Sequence, residues 1–341
     1  MGHEPNSNLP IQTTTKKPLY STMFTLRKTL KPSSIFTTAH RLITTVKLPE
    51  PPTTAAYDNL IYTAGRDRDF AAVRHLLNHR HANGFFTTTN TFNFISTDLT
   101  IVNDVLTTVA NLNEKNCRKK SYESLITRLC KLQLIDEALK AAEAASAGGI
   151  HGGDATTFHP ILSVVTRKKD FDLGWRVVEI MEANNIARDV TCYNFFLTAY
   201  SVSGDLRSNV VVLKKMAEEG LKADARTYDA LVLGACKVEK MDGAVAILRM
   251  MVDDGVEALY ATYAHVIGGL VRLDYCAQAV EFVMSYGGKD KKLDSHNFGL
   301  LATRLIGVKK VEEAKYVLEE MVNRDLDLSE NLQKYYSENV K

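Results

Sequence analysis

The stretch KADARTYDALVLGAC, residues 222–236, contains the run Asp224-Ala225-Arg226-Thr227-Tyr228-Asp229. Thirty-five residues earlier the chain reads Asp189-Val190-Thr191-Cys192-Tyr193-Asn194, and thirty-five later Leu259-Tyr260-Ala261-Thr262-Tyr263-Ala264. Residues 155–189, 190–224, 225–259, 260–294 and 295–329 align under one another without a gap, and five units in one register are the signature of a repeat array. The fourth position is always aromatic: Phe158, Tyr193, Tyr228, Tyr263, Phe298. Apolar pairs follow three and four residues on, such as Phe196/Leu197 and Val266/Ile267, and then Val165, Tyr200, Ala235, Leu270 and Leu305. That spacing is the stripe of an amphipathic helix.

After a short polar break such as Ser203-Gly204-Asp205, a second stripe begins: Met241, Ala244, Leu248 and Met251 in one unit, Val311, Ala314, Leu318 and Met321 in another. Each unit therefore reads as a helical hairpin with one apolar side, which must stack on its neighbours to be buried. Ala244, Ala279 and Ala314 share a column where a small side chain lets helices approach, and Gly174 and Asn209 interrupt it. Seven of the eight prolines lie at or before Pro52, leaving Pro160 alone in the rest of the chain, as a helical region requires.

Upstream, SYESLITRLCKLQLIDEAL, residues 121–139, repeats the pattern inside a 36-residue unit, 119–154, that ends in the glycine-rich GGIHGGD. Tyr57, Phe70 and Leu77 mark a degenerate unit at 54–88, and 89–118 reads as a shortened or distorted one, so 54–118 is a degenerate helical region. Residues 330–341 read as a capping segment over the end of the 119–329 array.

Residues 1–49 hold seven basic side chains against one acid, Glu4, and are rich in Ser and Thr. This is the composition of an organelle transit peptide, read as mitochondrial with a chloroplast address as the alternative. Without it, the 42 basic and 40 acidic residues of the chain fall to 35 and 39, a formal charge of −4. Nucleic-acid contact must then come from a local stripe of cations and not from bulk charge. No apolar run reaches the roughly 18 residues of a spanning helix. Five scattered cysteines without a CxxC pair argue against a zinc ribbon or a disulfide framework.

His75 and His79 stand at i and i+4 with His81 nearby, but no carboxylate lies between the first two as in a zincin helix, and both fall off the apolar stripe. No metal, cofactor or catalytic motif is expected: the chain carries no phosphate loop, nucleophile elbow or deaminase signature. The repeated aromatics read as core, not as base-stacking platforms, because each opens an apolar stripe.

SYESLITRLCKLQLIDEAL and the block from Thr191 to Asp224, with its G-L-K-A-D ending, resemble pentatricopeptide repeats, two-helix units of 35 residues. The resemblance implies an all-α fold, a right-handed superhelical solenoid whose first helices line a groove for single-stranded RNA. It implies that the fifth and last residues of each unit read the base: His159 with Asp189, Asn194 with Asp224, Asp229 with Leu259, Ala264 with Asp294, and Gly299 with Ser329. Only Asn194 with Asp224 matches a well-known family pair, one that favours uracil. Ala264, Gly299 and Leu259 offer no side-chain hydrogen bond, so the expected base preference is weak. The second position, usually a β-branched apolar residue, is Thr156, Thr191, Arg226, Ala261 and His296.

The thirteenth position is Lys131, Arg167, Lys237 and Arg272 in four of six units, with Val202 and Gly307 as exceptions. Stacked units would align these cations along the groove, where they can neutralise phosphates whatever the sequence; the competing role is compensation of the C-terminal helix dipole. The expectation is thus a mitochondrial RNA-binding protein without enzymatic activity, monomeric outside a complex. It would hold single-stranded or ribosomal RNA in RNA metabolism or translation, with mitochondrial ribosomal proteins as potential neighbours. The alternative is a helical-repeat scaffold gripping a protein partner.

Overall fold

The computed structural model describes residues 53–96, 99–150, 152–288 and 290–340; the basic leader of residues 1–49 lies outside the described residues. Among the described residues every regular element is helical. The α-helices are α1 (Thr54–Arg66), α2 (Phe70–Ala82), α3 (Val102–Ala110), α4 (Lys115–Lys131), α5 (Ile135–Ser146), α6 (Ala155–Arg167), α7 (Phe171–Ala183), α8 (Val190–Ser203), α9 (Leu206–Glu218), α10 (Ala225–Lys237), α11 (Met241–Asp253), α12 (Tyr260–Arg272), α13 (Cys276–Tyr286), α14 (Lys291–Gly307), α15 (Val311–Asn323) and α16 (Glu330–Asn339). From α4 onward the first helices of successive hairpins pack directly on one another, each second helix packs on its own partner, and the result is an α-helical repeat solenoid. The fourth-position aromatics sit inside it: Phe158 and Phe298 are fully buried, and Tyr122, Tyr193, Tyr228 and Tyr263 nearly so.

Two tight turns set the repeat. The turn inside each hairpin places one residue in left-handed backbone, and that residue is Arg68, Gln133, Lys169, Gly204, Glu239, Asp274 or Lys309, always the fifteenth of its unit. The turn between hairpins does the same at Gly84, Gly149, Asn185, Gly220, Gly255 and Asp325. Five of the seven fifteenth-position residues are charged and side-chain bearing, so the chain accepts roughly 1–2 kcal/mol of steric cost at such sites in order to reverse direction. An aspartate caps many helix starts: Asp69, Asp170 and Asp205 before second helices, Asp154, Asp189, Asp224 and Asp290 before first helices.

A further tie recurs 26 residues apart. The Tyr193 hydroxyl donates to Glu219 Oε1 at 2.6 Å, the Tyr228 hydroxyl donates to Asp254, and the Tyr57 hydroxyl accepts from Asn83 Nδ2 at 3.1 Å. Each links the start of a first helix to the turn that ends the same hairpin. The small-residue column is buried as well: Ala244, Ala279 and Ala314 are fully enclosed, Asn209 donates to Ser201 Oγ at 2.7 Å, and a Cβ on Gly174 would lie 2.9 Å from the Phe196 ring.

Helices α4 and α14 begin four residues earlier than the sequence register predicts, at Lys115 and Lys291. At α14 the cap is Asp290, which accepts from Leu293 N, and the preceding α13 is only 11 residues long. The extra turn of the first helix compensates for the shortened second one.

Between α2 and α4 the regular hairpin fails. Residues 84–96 form turns without a helix, and Phe92, Phe94 and Ile95 are buried in the core. Arg80, about 1% exposed, pairs with Asp58 at 2.6 Å and donates to Thr91 Oγ1 at 3.1 Å, while Asp58 also accepts from Thr88. Arg128 Nη2 ties the segment to α4 through Ile95 O at 2.7 Å. The Phe94 ring packs against Gly65, where an added Cβ would come within 2.3 Å of it. Gly65→Ala is therefore expected to cost about 1–3 kcal/mol by overpacking. A urea titration followed by circular dichroism should show the lowered midpoint.

Candidate nucleic-acid interface

The first helices present their polar positions on one face of the array, and two cavities open there. One, of about 650 Å³, is lined across α6, α8 and α10 by residues that include Arg167, Lys169, Thr191, Asn194, Arg226 and Asp229. The other, of about 580 Å³, is lined across α10, α12 and α14 by residues that include Lys237, His265, Arg272 and Arg304. The structure thus brings Lys237 and Arg272 into one cavity and Arg167 into the other; Lys131, exposed at the end of α4, lines neither.

None of Arg167, Lys237, Arg272 and Arg304 forms an ion pair among the described residues, and all four are exposed. Arg272 also donates from Nη2 to Cys236 O at 2.7 Å, at the C-terminal end of α10. It therefore satisfies a helix-end carbonyl while leaving other guanidinium donors for a ligand. The register alone missed Arg304. It stands three residues before Gly307, on the same side of α14, and its guanidinium lies against Gly268 of α12. A helix-face count in the last unit would have found it where the thirteenth-position column did not.

The fifth and last positions are held at the joints between units. His159 Nε2 lies 3.0 Å from Asp189 Oδ1, and Asn194 Nδ2 donates to Asp224 Oδ1 at 2.9 Å. Asp229 accepts from Thr262 Oγ1 at 2.8 Å and lies 3.6 Å from His265 Nε2. Asp189 and Asp224 are also the caps of α8 and α10, accepting from Cys192 N at 2.9 Å and Thr227 N at 2.8 Å. Burial alone would raise these two carboxyls, but the N–H donors of the helix start and the His159 or Asn194 side chain outweigh it, and both sit below the ordinary aspartate value. For Asp229 burial likewise raises, and His265 and Thr262 prevail in lowering.

Asp294, the last residue of its unit in the register, caps no helix start. It lies inside α14, about 5% exposed, and accepts from Gly288 N at 2.7 Å, because the helix starts four residues early and draws the carboxylate back over the preceding turn.

His159, Asp189 and Cys192 bring ligand atoms within 4.8 Å of one another. Burial pushes the Cys192 thiol up, against the thiolate a metal takes, and Asp189 is already spent on the helix cap, so this triad reads as a joint. The exposed His75 and His79 rings stack at 6.1 Å, and His79 Nδ1 lies 2.8 Å from the Tyr57 hydroxyl. No helix among the described residues is long and apolar enough to cross a membrane.

The family model described as pentatricopeptide repeat-containing protein matches residues 156–286. A mitochondrial pentatricopeptide repeat-containing protein of Arabidopsis thaliana is 44% identical over 294 residues, covering 84% of each chain. A second from the same plant, also mitochondrial, is 44% identical over 307 residues, covering 89% of this chain and 87% of its own. Among solved structures, the pentatricopeptide repeat protein PPR10 in complex with an 18-nt psaJ RNA element aligns with a TM-score of 0.48 at 15% identity. The alignment covers 87% of this chain, which spans 44% of that protein.

The depressed carboxyls carry a pH signature. Their stabilisation is complete above the unfolded aspartate value, about 3.9, and is lost as pH falls through the lower folded value. Asp224→Ala is expected to cost about 1 kcal/mol at pH 7, through the lost cap, and to flatten part of the fall in unfolding midpoint below pH 4. Urea midpoints collected between pH 3 and pH 7 read both effects.

Proposed function

The chain belongs to the pentatricopeptide repeat family, and from that premise we propose that it is an RNA-binding protein of the mitochondrion that holds single-stranded or ribosomal RNA along the first-helix face, in RNA metabolism or translation. The observation that carries this reading is the second cavity, where Lys237, Arg272 and Arg304 converge without an acidic residue in the lining. Such a cluster in a protein whose leader-free charge is −4 concentrates positive potential on one face. Phosphates neutralised there contribute affinity without regard to base, and the sparse polar side chains at the fifth positions, Asn194 foremost, add a limited preference. The role is one of binding and not of catalysis. A ribosome-associated task and the stabilisation of a transcript both fit a short groove of this kind. The same negative leader-free charge favours a second reading, a scaffold for a protein partner, which predicts no affinity for RNA alone.

Fluorescence anisotropy with a labelled uridine-rich 12-mer, repeated over a range of salt concentrations, tests the proposal. Binding should weaken steeply as salt rises. Lys237→Ala/Arg272→Ala/Arg304→Ala should lower affinity and reduce the logarithmic salt slope by ~0.7 for each phosphate no longer neutralised. Lys131→Ala, outside both cavities, should do less. Salt-insensitive binding, or binding untouched by the triple change, overturns the assignment.

A further inference from the structure

Asn194 is about 5% exposed, and both polar atoms of its amide are already engaged inside the protein. Its Nδ2 donates to Asp224 Oδ1 at 2.9 Å, and its Oδ1 accepts from Thr227 Oγ1 at 2.7 Å. Thr227 is fully buried and belongs to the next unit, at the start of α10. Its hydroxyl oxygen accepts from Asp224 N at 3.2 Å, which leaves its single proton for a carbonyl or carboxylate. Of the two acceptors in reach, Asn194 Oδ1 is the nearer, at 2.7 Å against 3.0 Å for Asp224 Oδ1.

Together the two hydrogen bonds fix the amide. Turning it over would set the Asn194 carbonyl against an aspartate carboxylate that can only accept, and would replace the hydroxyl's acceptor with an N–H donor. In the observed orientation one amide hydrogen and one carbonyl lone pair remain for a ligand, and their placement is decided by Thr227.

The pairing recurs where its chemistry allows. Thr262 Oγ1, at the same place in the following unit, donates to Asp229 Oδ1 at 2.8 Å. The Thr227–Asn194 and Thr262–Asp229 bonds each span 33 residues and cross one unit boundary. Where the fifth residue is Ala264, the residue 33 positions on is Asn297, and its buried Oδ1 finds no hydrogen-bond partner among the described residues. Where the third residue is Cys192, a poor donor, His159 turns to Asp189 instead. The hydroxyl is thus matched to a polar fifth residue in the unit before it.

We propose that Thr227 is a positioning residue for base recognition: it clamps the Asn194 amide across the repeat boundary, so that the base preference of one unit is set partly by the next. Thr262 does the same for Asp229. This rests on the reading of the first-helix face as an RNA site, and the experiment separates the two. Affinities of the full chain for 12-nt oligo(U) and oligo(A) are measured for the parent, Thr227→Val, Thr227→Ser and Asn194→Ala, and for Asn194→Ala combined with Thr227→Val.

The parent should favour oligo(U) by about fivefold, the scale of one hydrogen bond of about 1 kcal/mol. Thr227→Val should bring that ratio near one while the salt slope stays the same, and Thr227→Ser should restore it. In the Asn194→Ala background Thr227→Val should change the ratio no further. If Thr227→Val proves unfolded by circular dichroism, Thr262→Val reports instead: it should alter the relative affinities for the two oligomers at an unchanged salt slope. A parent without any RNA affinity defeats the functional reading and, with it, this inference. A parent that binds RNA without base preference, or a folded Thr227→Val or Thr262→Val that keeps the parent's ratio, overturns the inference alone.

Discussion

Two of the joints between units rest on one carboxylate each. At Asp189 and Asp224 the same side chain ends one hairpin, satisfies an N–H without an intrahelical partner at the start of the next first helix, and holds the fifth residue of the hairpin it ends. Helix starts leave N–H groups without intrahelical partners, and an aspartate answers them with both a hydrogen bond and a favourable charge. At these two joints the start of the next first helix and the presentation of the fifth residue therefore depend on a single cap. Burial would raise these carboxyls, so their depressed values measure how strongly the donors around them prevail.

The solenoid was legible because its signals are periodic. Fourth-position aromatics and the column containing Ala244, Ala279 and Ala314 announce themselves once five units are aligned, and burial follows from the amphipathic stripe. Two features escaped that logic. The early start of α14 depends on Asp290, a cap that lies outside the expected place, and on the shortening of α13, which no column of the register displays. Residues 84–96 carry apolar side chains in no helical spacing, and their order comes from Arg80, Asp58, Thr88 and Thr91, groups brought together only by folding.

The polar face was less readable, for a related reason. Lys237 and Arg272 could be picked out because they share a column, whereas Arg304 reaches the same cavity from a different position on its helix. The threonines at 227 and 262 were visible as a repeated letter, yet their partners lie across a unit boundary. A spacing of 33 falls two short of the period, so comparing like positions never sets the two residues side by side.

The paired left-handed turns have a consequence for how such an array can change in size. Each demands a specific backbone handedness at a set distance from the other, while the partition between helices is negotiable, as the long α14 beside the short α13 demonstrates. Growth or loss is then quantised: a whole module can be spliced in or out with its neighbours' packing intact, but a stray residue must be absorbed by a compensating helix end nearby or it derails every hairpin downstream.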